Sequence, residues 1–482
     1  MRSHLRAVAS VALALMLTGW AGLSAAAQEL PAEDTGRVVR QGTGEANPFL
    51  GGVPQGEATS TPVALGLREA IDRGLAHNLG VLLQEQGLES ARGSRWEALS
   101  GLLPNVSARI GEARRVVSLA EFGFTEFPGL TDPTVGPFNV FDTRVTVSQP
   151  VLDVSALHGA RAGSALVNAA KHDVKNAREL VVLVVANLYL NAVSTAARVE
   201  TAQAALQTAE ALYALTTDLK SAGIAAGIDV LRTQVQQQTE RRRLVAAEND
   251  AARARLQLAR AVGLPPGQDV RLTDAIPYAP MQQVTLEDAL ARAYATRPDY
   301  LAAQALLEAA EEADRAARTS LIPSLHVDGE VGRVGLTPSD TDFVYGMGAS
   351  VRVPVFERGR QQARIATASA DLQRRRALLA DMRGSIDYDV RSAFLDLHAA
   401  EQALEAARIG RDLARQQLVQ SRDRFSAGVA GSLEVVQSQE AVATANDHYT
   451  SARYAHNIAK ATLARAVGVA EDATKAYLGG AR

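Results

Sequence analysis

The sequence predicts a mainly α-helical protein with a small β part, written as two copies of one plan. Three observations carry this. Of the 482 residues, 47% are hydrophobic but only 5% are aromatic, so the apolar content is aliphatic. Such a composition, rich in Ala, Leu, Arg, Gln and Glu, favours long helices. The hexapeptide LARAVG occurs twice, at 258–263 and 463–468, an offset of 205 residues. Each copy also holds, between two prolines, a stretch in which apolar and polar residues alternate.

LARAVG belongs to a colinear series. SAGIAAGIDVL from Ser221 matches SAGVAGSLEVV from Ser426, and Tyr189 matches Phe394, both at offset 205. QPVLD from Gln149 matches VPVFE from Val353 at offset 204. LREAIDRG from Leu67 matches LEDALARA from Leu286 at offset 219, as does LLPNV around Pro104 with LIPSL around Pro323. One hexapeptide in an Ala-rich chain is coincidence; ordered matches along both halves are an internal duplication. Pro104 and Pro150 are 46 residues apart, Pro323 and Pro354 only 31 (104 to 150, 323 to 354), so the first copy is longer between its prolines.

The chain then divides into a signal peptide (1–27), an extended arm (28–64), a first repeat (65–264), a linker (265–283), a second repeat (284–470) and a short tail (471–482). Arg2, His4 and Arg6 precede the apolar run AVASVALALMLTGWAGL, and SAAAQ offers cleavage after Ala27. An uncleaved anchor is the competing reading, but the run is short of the ~20 residues a spanning helix needs. LVVLVVANLYL from Leu180 is shorter still and is interrupted by Asn187, so no later transmembrane helix is expected. The chain has no cysteine, which excludes disulfides, thiol nucleophiles and lipid attachment through an N-terminal Cys. A formal net charge of −3 leaves no electrostatic footprint for nucleic acid.

Within each repeat the expected order is a short helix, a medium helix, two strands, a very long helix, a glycine turn and a returning helix. The long helices are expected over about 155–219 and 359–425; in the second, Leu379, Met382, Ile386, Val390, Phe394 and Leu397 recur every three or four residues. At 1.5 Å per residue each is a rod of ~100 Å, which indicates an extended helical assembly. Gly263 and Gly468 stop the returning helices.

The strands are expected at about 105–117, 138–149, 324–333 and 343–353. Val106, Ala108 and Ile110 alternate with Asn105, Ser107 and Arg109; Val145 and Val147 alternate with Arg144, Thr146 and Ser148. Leu325, Val327 and Val331 face away from His326, Asp328 and Glu330, and Tyr345, Met347, Ala349 and Val351 continue the pattern. Two readings fit: a small sheet packed on the helices, or a transmembrane β-barrel with lipid on the apolar side and a lumen on the polar side. The first hairpin loop, about 118–137, carries Phe122, Phe124 and Phe127; the second, about 334–342, is shorter. Four strands cannot close, and open edges are not tolerated in lipid, so a barrel would have to be shared between copies. Two copies would give eight strands and three would give twelve; the strand pattern does not choose.

The duplicated helix, hairpin, long helix, turn and helix, the proline-bounded strands SQPVLD and RVPVFERGR, and the turn RFSAGVAGSLEVVQSQ together resemble the TolC-type outer-membrane efflux protein family, over about residues 65–469. The resemblance implies a homotrimer with a transmembrane 12-stranded β-barrel in outer-membrane lipid and a long periplasmic α-helical barrel. Pro104, Pro150, Pro323 and Pro354 would mark the barrel-to-helix junctions. The glycine turns would lie at the periplasmic tip, where Ser221, Gly223, Ile224, Ser426, Gly428 and Val429 would meet a periplasmic adaptor (membrane fusion) protein that links the channel to an inner-membrane pump of the RND or ABC type. The function implied is a passive conduit in a tripartite efflux or type I secretion system, exporting small molecules or proteins; the competing class is a periplasmic coiled-coil structural protein.

Two departures from the family matter. The lipidated Cys of some relatives is absent. Tightly closed relatives also place two carboxylates three residues apart after the second turn; here those positions are Glu434 and Gln437, and an Arg found in some tips is Ala430. A periplasmic tip gate would therefore fall on Asp229, Glu434 and Gln437. Three copies of Glu434 would form a carboxylate ring favouring cations, and an acid in a first helical turn is also what the helix dipole favours. No nucleophile elbow, HExxH or metal-ligand constellation occurs, so no catalysis, cofactor or metal is expected.

Overall fold

The computed structural model describes residues 47–122, 134–274, 285–354 and 359–472. The signal peptide, the start of the arm, Phe124, Phe127, the linker from residue 275 and the tail from residue 473 lie outside the described residues.

The first repeat runs β1 (Val63–Leu65), α1 (Leu67–His77), α2 (Leu79–Ser100), β2 (Asn105–Ser118), β3 (Thr134–Leu152), α3 (Val154–Ser221) and α4 (Gly227–Ala261). The second runs β4 (Val270–Leu272), α5 (Leu286–Thr296), α6 (Pro298–Thr319), β5 (Ser324–Thr337), β6 (Asp340–Arg352), α7 (Arg360–Ser426) and α8 (Ser432–Val467). The helix α3 has 68 residues and α7 has 67, each about 100 Å long. Asp153 caps the first by accepting a hydrogen bond from the Ala156 amide at 2.9 Å.

All four long helices end alike. Gly223, Gly263, Gly428 and Gly468 have φ between 68° and 78°, or 72° and 81° in the second repeat. In each, the glycine amide bonds back three residues and the next amide bonds back five: Ile224 to Leu219, Leu264 to Ala259, Val429 to Arg424 and Val469 to Ala464. This double bond is the Schellman ending, which requires a left-handed residue that glycine adopts freely. LARAVG is the helix end that runs into it.

The strands β2, β3, β5 and β6 form one antiparallel sheet in that order, so β3 of one repeat pairs with β5 of the other and β2 and β6 are left as edges. Pro104 and Pro323 stand immediately before β2 and β5, and Pro354 stands two residues beyond β6. Pro150 differs from expectation. It lies inside β3, opposite His326, and the register slips before Leu152. Proline has no amide to give the ladder, and the slip absorbs the gap. The second hairpin turns through Pro338 and Ser339 alone, tighter than the loop its sequence suggests.

Three features depart further from the sequence reading. A second sheet pairs β1 with β4 in parallel, Val63 against Val270, within what reads as arm and linker. The arm from residue 47 is a strap: the Val53 amide bonds the His77 carbonyl, the Gln55 amide bonds that of Gly263, and the Thr59 amide bonds the Gln268 side chain. Finally, α3 is long and apolar enough to cross a membrane, and 56% of that apolar window is buried inside the protein. Asn187 does not interrupt it: its side chain accepts a hydrogen bond from the Tyr454 hydroxyl at 2.9 Å.

That burial belongs to one of two cores. Val181, Val182, Val185, Tyr189 and Leu190 of α3 pack with Leu67, Ile71, Val81 and Leu258. In the second repeat Leu379, Ile386, Val390 and Leu397 of α7 pack with Ala289, Tyr300 and Leu463. The cores hold the middle of the molecule, with the sheet beyond one end of α3 and α7 and the glycine turns at the other.

Candidate functional site: a two-faced sheet and paired helical tips

Residues directly opposed in an antiparallel ladder share a face. The ladder therefore sorts the four strands into rows. Val106, Val147, Gly329 and Met347 form one row, and Ala108, Val145, Val331 and Tyr345 the next. Met347 is 85% exposed and Tyr345 77%, although both are apolar. Between these rows the opposite face carries Ser107, Thr146, Glu330 and Gly346, then Arg109, Arg144, Gly332 and Val344. Arg144 reaches Asp142 at 2.9 Å and Glu330 at 3.0 Å, and the Ser148 hydroxyl donates to Asp328 at 2.6 Å. The sheet thus has an exposed apolar face, a hydrogen-bonded polar face and two unpaired edges.

At the far end of the helices the expected tip residues take equivalent places. The Ser221 hydroxyl donates to the Asp218 carbonyl at 2.7 Å, and the Ser426 hydroxyl to that of Asp423 at 2.9 Å. Gly223 and Gly428 make the turns, with open space where a Cβ would stand. Ile224 and Val429, the residues after them, are 74% and 67% exposed. The turn uses their amides alone, and their apolar side chains stand in solvent.

Asp229 and Glu434 both lie in the first turn of their helices, where the N-terminal dipole favours a carboxylate. Their bonds differ. Asp229 accepts a 2.6 Å hydrogen bond from the buried Ser432 hydroxyl, which ties the first tip to the second. Glu434 pairs at 3.1 Å with Arg424 of its own hairpin, and both are substantially exposed. Gln437 is exposed one turn further on. The structure thus connects Asp229 to the second tip and leaves Gln437 apart.

Each helical hairpin is closed internally by a hydroxyl pair. Thr216 of α3 meets Thr233 of α4 at 2.8 Å, and Ser421 of α7 meets Ser438 of α8 at 2.7 Å; all four residues are buried. The two hairpins are joined to each other by polar ties. Arg243 of α4 reaches Glu440 of α8 at 2.6 Å and Glu240 at 2.9 Å. Burial pushes the Glu240 carboxyl above the usual range, while the Arg243 hydrogen bond holds Glu440 below it. Beside this tie lies a cavity of about 320 Å³ lined by Glu200, Thr208, Glu240, Arg415, Gln439 and Asn446. Ser432, Arg424, the hydroxyl pairs and the Arg243 tie all escaped sequence reading. The one signal was the offset of 205, at which Thr216 and Thr233 fall on Ser421 and Ser438. Among the described residues no group of three or more His, Asp or Glu side chains is placed to hold a metal ion.

The outer membrane efflux protein family model matches residues 70–264 and 289–469. The pyoverdine export outer membrane protein OpmQ of Pseudomonas aeruginosa is 26% identical over 400 residues, covering 79% of this chain and 80% of that protein. Protein CyaE of Bordetella pertussis is 27% identical over 410 residues, covering 83% and 81%. The outer membrane channel CmeC of Campylobacter jejuni superimposes with a TM-score of 0.74 at 14% identity, covering 92% of this chain and 94% of that one. The open state of the MtrE outer membrane channel of Neisseria gonorrhoeae gives 0.70 at 19% identity, covering 92% and 98%.

Proposed function

Because this chain belongs to the outer membrane efflux protein family and is an outer-membrane channel protein, we propose that three copies close one 12-stranded barrel and export substrate passively through it. The observation that carries this is the sheet: an apolar face, a polar face and two free edges in only four strands. Lipid tolerates no free edge, and four strands enclose nothing, so each edge needs a neighbouring copy. The apolar face then meets outer-membrane lipid, and the face of Arg144, Asp328 and Glu330 lines a watered lumen. Native mass spectrometry of detergent-extracted protein should give three chains per particle. Release from membranes without detergent would overturn the barrel and favour a periplasmic coiled-coil protein.

The paired turns form the periplasmic end of the conduit. Ile224 and Val429, with Ser221, Gly223, Ser426 and Gly428, offer an apolar docking surface for a periplasmic adaptor, itself joined to an RND or ABC pump. Gly428→Trp should abolish capture of the adaptor while trimers persist. Asp229, Glu434 and Gln437 surround the narrow end. Glu434 in three copies gives a carboxylate ring held by exposed Arg424 pairs, each worth only ~0.2–1 kcal/mol and so easily exchanged. Glu434→Gln should lower cation selectivity in bilayer recordings, and unchanged selectivity rejects the ring. Residues 1–27 direct export, and the mature chain carries no lipid. The cargo is a small molecule or a protein; export of pyoverdine by the OpmQ relative favours the small molecule.

A further inference from the structure

The apolar face of the sheet is not uniform from end to end. On β5 and β6 its rows are Leu325 with Val351, Val327 with Ala349, Gly329 with Met347 and Val331 with Tyr345, and none carries a charge. Continued across β3 and β2 the same rows add Gln149, Val147 with Val106, and Val145 with Ala108, again uncharged. The next row outward, away from the helices, sets Arg333 opposite Phe343. A cation therefore stands on the face that the barrel reading turns to lipid.

A charge on a lipid-facing strand is costly at mid-depth and tolerated near the headgroups, so the height of Arg333 decides its meaning. Leu325 to Arg333 is eight residues (325 to 333), or ~20 Å of height at ~3.3 Å per residue and a tilt of ~40°. The side chain climbs further. Its Nε donates to the Thr341 hydroxyl at 2.9 Å and its Nη2 to the Thr341 carbonyl at 2.8 Å. Thr341 lies opposite Gly335, two residues beyond Arg333 (333 to 335), at the ~25 Å upper rim of a lipid-facing band. The stem thus crosses apolar surface and delivers the charged head to headgroup level.

That head is unlike the arginine of the polar face. Arg144 is held between two carboxylates, Asp142 and Glu330. Among the described residues Arg333 makes no ion pair and bonds the uncharged Thr341. A guanidinium has five N–H groups, so three stay open after Thr341. On the same face the exposed rings of Phe343 and Tyr345 lie 6.2 Å apart, an aromatic pair of the kind found where lipid meets water. Arg114 of β2 is exposed further out on this face, and Glu112 below it accepts from the Asn139 amide at 3.3 Å.

We propose that Arg333 binds a phosphate of a phosphorylated glycolipid, of the lipid A type, in the outer leaflet. The inference rests on the shared-barrel reading and adds a specific lipid to it. The planar fork of arginine matches two phosphate oxygens at once. The outward end of the sheet meets the outer leaflet, where glycolipid carries the phosphate, while the inner-leaflet phospholipid meets the uncharged rows near Leu325.

Trimers purified in mild detergent and mixed with bisphosphorylated lipid A should show lipid adducts in native mass spectra, up to one per copy. Lipid A stripped of both phosphates should bind the same unmodified protein about tenfold more weakly. Arg333→Gln should lower lipid A occupancy about tenfold and Arg333→Lys about threefold, since a point charge replaces the fork. Arg109→Gln, on the opposite face, should leave it unchanged. If Arg333→Gln does not assemble, the two lipids on the unmodified protein decide. Trimers that take up no lipid A, that bind the stripped lipid or phosphatidylglycerol as tightly, or that keep full occupancy with Arg333→Gln would overturn the site and leave the shared barrel standing. Monomers in the unmodified chain would overturn the shared barrel, and the site with it.

Discussion

The two repeats reach the same glycine ending, yet opposite chemistry holds them there. At the first LARAVG the neighbour is Asn78, fully buried and neutral. Its amide donates to the Phe49 carbonyl at 2.8 Å and the Ala261 carbonyl at 3.3 Å, and its oxygen caps α2 through the Gly80 amide at 2.9 Å. At the second LARAVG the equivalent residue, 219 positions on (78 to 297), is Arg297. It donates to the Ala466 carbonyl at 3.4 Å, to Asp389 at 3.0 Å and to Asp299 at 2.8 Å. It cannot cap α6, and Pro298, with no amide to satisfy, starts that helix instead. Duplication has thus kept the backbone geometry and exchanged the side chains around it. A buried carbonyl needs a donor; whether an amide or a guanidinium supplies it is open, provided the donor's remaining groups are also satisfied.

Removing the donor should separate the repeats most. Arg297→Ala removes the nearest cation from Asp299 and Asp389 and should cost ~3–5 kcal/mol by thermal or chemical unfolding; Asn78→Ala strands two neutral carbonyls and an amide and should cost ~1–3 kcal/mol. Equal losses would mean that charge adds nothing to the second site. Next come the glycines. A Cβ on Gly468 would stand 2.7 Å from the Arg297 Cα, and one on Gly263 2.7 Å from the His77 Cβ. Added to the left-handed backbone, alanine at either should cost ~2–4 kcal/mol. Alanine at Gly223 or Gly428, where the space is open, should cost only the ~1 kcal/mol of conformation.

The finest contrast is with pH. Tyr189 of the first core donates to the Leu65 carbonyl and meets Asp274, each at 3.1 Å; burial first, and then the Asp274 charge, push its hydroxyl up to about 12. The folded state therefore holds that proton more tightly than the unfolded chain does. Its stabilisation is whole below pH ~10 and is lost as pH climbs towards 12. Phe394 stands in the equivalent place and cannot titrate. Asp299 runs the other way: burial pushes its carboxyl up, but the Arg297 hydrogen bond and charge win and hold it low. That contribution is present above the ordinary aspartate value of ~3.9 and fades below it. Tyr189→Phe should flatten the alkaline limb of a stability profile and Asp299→Asn the acid limb. A Tyr189→Phe profile as steep as that of the unmodified chain above pH 10 would assign the alkaline loss elsewhere.

The sequence made the duplication and the two-faced strands legible because each rests on a single period: an offset near 205, and strict alternation. Where structure depends on partners distant in the chain, it stayed hidden. The strands β1 and β4 have three residues each, too few to alternate, and pair across 207 positions (63 to 270). Asn187 reads as a break in an apolar run because nothing nearby shows that Tyr454 will bond it. Asp229 and Glu434 were visible as first-turn acids, but not that one binds across to Ser432 while the other stays with Arg424.

The buried hydroxyl pairs bear on length. Thr216 and Thr233 are 17 residues apart, and so are Ser421 and Ser438. A buried hydroxyl pair between two helices favours one alignment, since sliding by a turn would separate the two hydroxyls. Each pair is therefore a fixed datum, and the chain beyond it projects equally in both halves. In a threefold assembly all six loops would end in one plane, as the rim of a pipe must if a flat coupling is to seal against it. An insertion of a few residues in either loop would raise three of the six above the rest and spoil that seal without disturbing the barrel at the other end.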